Sequence, residues 1–91
     1  MSNVIWKYSL GPTVEHMLWM PKGAEIIHGD IQGGEFFVWA IIPDAEAEKE
    51  NRHILIAPTG GLGDSRVTKE NHINTIIDGI YVWHFFEVTY G

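Results

Sequence analysis

Apolar and polar residues alternate along most of this chain with the period of two that marks half-buried strands. The pattern predicts seven strands, at residues 4–8, 14–20, 25–32, 35–42, 52–57, 72–77 and 80–88. Two segments carry their own turn signals: 25–42 folds about Gly33-Gly34 and 72–88 about Asp78-Gly79, dipeptides suited to the positive φ of a two-residue hairpin. The first two strands, separated by Gly11-Pro12, are expected to pair with each other. Residues 44–50 have the composition of a short helical turn but no apolar stripe, and are expected to form an exposed excursion. Residues 59–71 are the longest stretch without periodicity and are expected to be the most mobile. Short strands joined by turns predict an all-β domain, a small antiparallel β-sandwich or a partly open β-barrel, covering residues 1–91 as a single domain.

The turns set the register, and the register sets which side chains share a face. About Gly33-Gly34 the opposed pairs are Ile31/Phe36, Asp30/Phe37, Gly29/Val38, His28/Trp39, Ile27/Ala40 and Ile26/Ile41. One face is an ordinary core of Ile27, Ile31, Phe36, Val38 and Ala40. The other holds His28, Asp30, Phe37 and Trp39. About Asp78-Gly79 the pairs are Ile76/Tyr81, Thr75/Val82, Asn74/Trp83, Ile73/His84 and His72/Phe85. Here an aliphatic face of Ile73, Thr75, Ile77 and Val82 lies opposite one carrying His72, Asn74, Trp83 and Phe85. Both hairpins thus present a second face too apolar for water and too polar for a plain interior. It is covered by closure of the chain on itself, by a second copy, or by a partner or ligand. The candidate binding residues are Trp39, His28, Asp30, Phe37, Trp83, His72, Asn74 and Phe85.

Composition narrows the function classes. Six Lys and Arg against twelve Asp and Glu give a formal charge of −6, which repels phosphate backbones and attracts basic partners, so no nucleic acid is expected. With no cysteine there is no disulfide, thiolate nucleophile or zinc-thiolate site, and a reducing cytosol is the expected setting. Residues 1–10 lack the features of a signal peptide, and no apolar run approaches a membrane span.

Candidate chemistry is thin. The five histidines show no ligand spacing, although His28 and Asp30 project from one side of a strand, and no metal or cofactor is expected. Gly60-Gly61-Leu62-Gly63-Asp64-Ser65 lacks the Lys of a P-loop, though its amides with Ser65 and Arg66 offer an anion nest. Ser65, His72 and Asp64 are the one nucleophile, base and acid set in a single region, and on a loop they are weak grounds for catalysis, so no catalytic residue is assigned. Stacking is better supplied, by Trp6, Trp19, Trp39, Trp83, Tyr8, Tyr81, Tyr90, Phe37 and Phe85, and suits a flat, nucleotide-like ligand.

The segments Trp6-Lys7-Tyr8-Ser9-Leu10, Met20-Pro21-Lys22-Gly23-Ala24-Glu25-Ile26-Ile27, Val38-Trp39-Ala40 and Gly79-Ile80-Tyr81-Val82-Trp83-His84-Phe85-Phe86-Glu87 resemble a small family of bacteriophage and prophage proteins of no assigned activity. The resemblance spans nearly the whole chain outside residues 44–71 and brings no catalytic residues with it. It implies a phage accessory protein in the host bacterial cytoplasm. The expectation is a non-enzymatic binding protein that inhibits a host factor or defence component. An oligomer that sequesters a nucleotide-like signal is the alternative, and a structural or assembly role comes third. A homo-oligomer is expected, with a dimer favoured.

Overall fold

A computed structural model of the chain describes residues 2–88, so Tyr90 lies outside the described residues. Seven strands form, namely β1 (Val4–Gly11), β2 (Glu15–Pro21), β3 (Glu25–Gln32), β4 (Glu35–Ile42), β5 (Lys49–Pro58), β6 (His72–Asp78) and β7 (Tyr81–Val88). They make a three-stranded sheet ordered β1-β4-β3 and a four-stranded sheet ordered β2-β5-β7-β6, with every pairing antiparallel. The architecture is a small β-sandwich and not a closed barrel. Among the described residues no helix is long and apolar enough to cross a membrane.

Two expectations need correction. β1 and β2 do not pair with each other: β1 lies along β4, and the chain crosses at residues 12–14 into the other sheet, where β2 lies along β5. Residues 44–48 make a turn closed by the Asp44 carboxylate, which accepts from the Glu46 N–H at 3.0 Å, and β5 already begins at Lys49. Residues 59–71 are tied down by the Asn71 side chain, which donates to the Arg66 carbonyl at 2.7 Å and accepts from the Thr68 N–H at 2.9 Å.

The two hairpins differ in their turn chemistry. Gly33 and Gly34 have φ of 60° and 80°, both positive as a type I′ turn requires, and the predicted pairs from Ile31/Phe36 to His28/Trp39 form. A bulge at Ile27 then shifts the register, so that Ile26, not Ile27, opposes Ala40. In the second hairpin only Gly79 has positive φ, at 62°, so the bend centres on Gly79-Ile80 in the manner of a type II′ turn. Asp78 is thereby spared a left-handed conformation and pairs with Tyr81. Moving the bend by one position moves each residue's partner by two, so side chains keep their faces although the pairs change: Ile76 opposes Trp83, Asn74 opposes Phe85 and Thr75 opposes His84. A further bulge at Ile73 turns His72 onto the opposite face, against Phe86.

Inside the sandwich, β4 contributes Phe36, Val38, Ala40 and Ile42, β5 contributes Ile54 and Ile56, and Phe85 of β7 sits between them with no exposed surface. Phe36 meets Trp83 and Phe85 edge-on, with centroids 5.2 and 5.9 Å away. Phe85 lies where a side chain at residue 29 would stand: a Cβ on Gly29 would come within 2.2 Å of its ring. Next to it, Asn74 joins the sheets. Its carboxamide accepts from the Gly29 N–H at 2.7 Å and donates to the Gly29 carbonyl at 2.8 Å, taking the place of a missing neighbour strand on the edge of β3.

Replacing Asn74 by Ala leaves both Gly29 main-chain groups unpaired in a half-buried site and is expected to cost about 1–3 kcal/mol in denaturant unfolding. Gly29→Ala drives a methyl into the Phe85 ring at a similar cost of about 1–3 kcal/mol. Because both changes open the same contact, the double variant should lose less than the two single losses together.

Candidate functional site

The eight candidate binding residues fall in three places. Phe85, Asn74 and Trp83 belong to the interior of the sandwich, so the mixed face of the second hairpin is closed within one chain. Trp83 is partly buried, its indole N–H is enclosed without a hydrogen-bond acceptor, and Tyr81 stacks on it at 5.9 Å. His72 lies outside the larger sheet. Only His28, Asp30, Phe37 and Trp39 stay together, on the outer face of the smaller sheet.

That outer face is built from the odd positions of β1 and β4 and from the residues of β3 opposite them. Phe37 and Trp39 are half-buried, with ring centroids 6.5 Å apart, and His28 stands 5.9 Å from Trp39. Lys7 reaches over them from β1. Its ammonium sits 4.1 Å from the Phe37 centroid and 5.4 Å from that of Trp39, and donates to Gln32 Oε1 at 2.9 Å. Ile5 and Ile41 extend the apolar area, while Glu25, Asp30 and Glu35 edge it with carboxylates. The Asp30 carboxylate is held in place by the Ile31 N–H at 2.8 Å.

On the larger sheet the outer face is partly roofed by residues 59–71. Arg66 anchors this strap by pairing with Asp64 at 2.8 Å and with Glu15 of β2 at 2.7 Å, and Glu15 also meets the nearly buried His53 at 3.2 Å. With its guanidinium engaged by two carboxylates, Arg66 is not directed at an anion nest. Beside the strap runs a hydrogen-bonded chain: Thr59 Oγ1 to His84 Nε2 at 2.6 Å, His84 Nδ1 to Thr75 Oγ1 at 2.8 Å, and Thr75 Oγ1 to His72 Nε2 at 2.9 Å. Sequence reasoning missed it because the bend at Asp78-Gly79 set Thr75 against Val82. The Ser65, His72 and Asp64 set is not assembled, since His72 is bonded to Thr75 and Asp64 to Arg66. Clefts of about 280 and 400 Å³ flank His72, the first lined by Val67, Thr68, Lys69 and Phe86, the second by Ile26, Glu70, Asn71, Ile73 and Glu87. Among the described residues no three His, Asp or Glu side chains converge as a metal site requires.

Fold and surface together define a small antiparallel β-sandwich that displays rings and hydrogen-bonding groups on the open face of its smaller sheet. The chain belongs to the family described as "Domain of unknown function (DUF7352)", whose model matches residues 1–91. No curated protein and no solved structure matches it.

The strap has a pH signature. Hydrogen bonds from the Arg66 side chain and main chain hold the Asp64 carboxyl at about 2, below the usual 3.8. The folded protein keeps this group ionised where the unfolded chain protonates it. The contribution is therefore whole above pH 3.8 and is lost as the pH falls toward 2. A carbon-detected NMR titration should place the Asp64 midpoint near 2, and Arg66→Gln should return it to the ordinary carboxylate range.

Proposed function

We propose that this chain is a non-catalytic bacteriophage accessory protein that acts in the host bacterial cytoplasm by binding, and thereby inhibiting, a host factor or defence component. The observation that carries the reading is the outer face of the smaller sheet. There Phe37 and Trp39 stay half-exposed beside His28 and Asp30, with Lys7 pinned across them. Rings ringed by a few polar groups are what the centres of protein interfaces contain. The carboxylates of Glu25, Asp30 and Glu35, on a chain of net charge −6, favour a partner with a basic surface. The phage setting rests on the resemblance of the four sequence segments described above.

A second reading, sequestration of a small nucleotide-like ligand, draws on the clefts flanking His72, whose volumes of about 280 and 400 Å³ lie at the low end for small-molecule sites. Native mass spectrometry of protein purified from bacterial cells separates the two, because a retained ligand adds a discrete mass to the chain.

For the favoured reading, Trp39→Ala and Phe37→Ala should each weaken capture of the bacterial partner by roughly tenfold or more, with the thermal unfolding midpoint little changed. Capture that is unaffected by both changes, in variants that still fold, would place the contact elsewhere on the molecule.

A further inference from the structure

Each sheet has two edges, and three of the four are modified against further pairing. On β3, Asn74 occupies the Gly29 main chain and Ile27 forms a bulge. On β6, Ile73 forms another bulge, and β2 ends in Pro21. The remaining edge is β1. Over residues 4–9 it has neither proline, carboxylate nor bulge, its one irregularity lying between Ser9 and Gly11, and it leaves Ile5 62% and Trp6 37% exposed.

The main-chain direction of β1 follows from the lock on β3. Gly29 gives both its N–H and its carbonyl to Asn74, so both point away from β4, and Gly29/Val38 is a pair without mutual hydrogen bonds. Val38 therefore turns its main chain to β1. Its partner Tyr8 and, by alternation, Trp6 and Val4 are bonded to β4. The N–H and carbonyl groups of Ile5, Lys7 and Ser9 point out of the sheet. A lysine commonly guards such an edge. Here it does not, because the Lys7 ammonium is drawn back across β4 to Gln32 and the Phe37 ring.

We infer that β1 pairs antiparallel with β1 of a second copy of this chain, about a two-fold axis at Trp6, to make a continuous six-stranded sheet from two three-stranded ones. Register selects this axis. Outward-pointing groups must oppose each other, which leaves Ile5 on Ile5, Lys7 on Lys7 or Ile5 on Lys7, since registers centred on Tyr8 or Ser9 run into the irregularity between Ser9 and Gly11. Lys7 on Lys7 sets two ammonium stems face to face. Ile5 on Ile5 pairs only residues 4–6 within β1. Ile5 on Lys7 pairs residues 4–8 of each copy and brings the two Trp6 rings together on the inner face. There each ring stands opposite the small Ala40 and has room to pack. The pairing goes beyond the binding reading above and stands without it; it would set the Phe37 and Trp39 faces of both copies on one surface.

Light scattering on the eluting protein at micromolar concentration should give twice the chain mass, and amide hydrogen exchange should show Ile5 and Lys7 protected. Ile5→Pro removes an N–H that the single chain does not use, so it should give a monomer with the core still protected. Ile5→Lys, which sets like charges opposite each other at two symmetric places, should weaken the dimer roughly tenfold, whereas Ile5→Glu should retain it by pairing with Lys7. A wild-type monomer with freely exchanging Ile5 and Lys7 amides overturns the proposal, as does a dimer that survives Ile5→Pro. Either result leaves the Trp39 and Phe37 capture test intact, and loss of capture in those variants leaves the dimer intact.

Discussion

The sandwich depends on one close approach, where β3 has no side chain so that Phe85 can lie against its backbone. The phenyl ring fills the space that any Cβ at residue 29 would take, and the Asn74 carboxamide closes the two main-chain groups that this leaves on the edge. Apolar burial and polar satisfaction thus come from neighbouring residues of one hairpin, since Asn74 and Phe85 oppose each other across β6 and β7. Without the carboxamide, the edge of β3 would be both enclosed and unpaired, the combination that folded proteins avoid most strictly. Without the glycine, the largest fully buried ring would lose its seat and the two sheets would have to separate. The rest of the core, from Phe36 to Ile54, packs around a spacing that this contact sets.

Much of the strand pattern was legible because alternation and glycine turns are local. Gly33-Gly34 gives two residues free to take positive φ, so the first bend and the face holding His28, Asp30, Phe37 and Trp39 follow directly. At Asp78-Gly79-Ile80 the sequence offers one glycine and two ways to use it, and the choice that keeps Asp78 out of the left-handed region is the one adopted. The slip preserved faces, yet it hid the Thr75 to His84 contact. Which face of that hairpin turns inward was not local information: it is decided by Gly29, far away in sequence, which admits Phe85. The bulges at Ile27 and Ile73 leave no mark in the alternation, because Ile27 is one extra apolar residue beside Ile26 and Ile73, between His72 and Asn74, keeps the alternation unbroken. The switch of β2 to the other sheet and the Arg66 to Glu15 anchor are likewise long-range, and no window of sequence contains both partners.

The placement of the cations explains why the two outer faces differ. Arg52 lies between Glu87 and Glu50, Arg66 between Asp64 and Glu15, and Lys22 beside Glu48, so these charges tie the chain to itself on or beside the larger sheet. The Arg52 and Glu87 pair is bidentate and only slightly exposed, and its hydrogen bonds raise the guanidinium pKa further. Arg66 does the same work for the strap that roofs His53 and Leu55. Among the described residues no comparable strap crosses the smaller sheet, whose outer face keeps its rings half in water under Lys7. A cation held over two ring faces is weakly hydrated on one side, and the carboxylates of Glu25, Asp30 and Glu35 stand at the edges of the same face. The face therefore carries its one cation over the rings and its carboxylates at the rim of the apolar area. Such a pattern suits an incoming surface whose apolar centre meets Phe37 and Trp39 while basic groups around it reach the carboxylates at the rim.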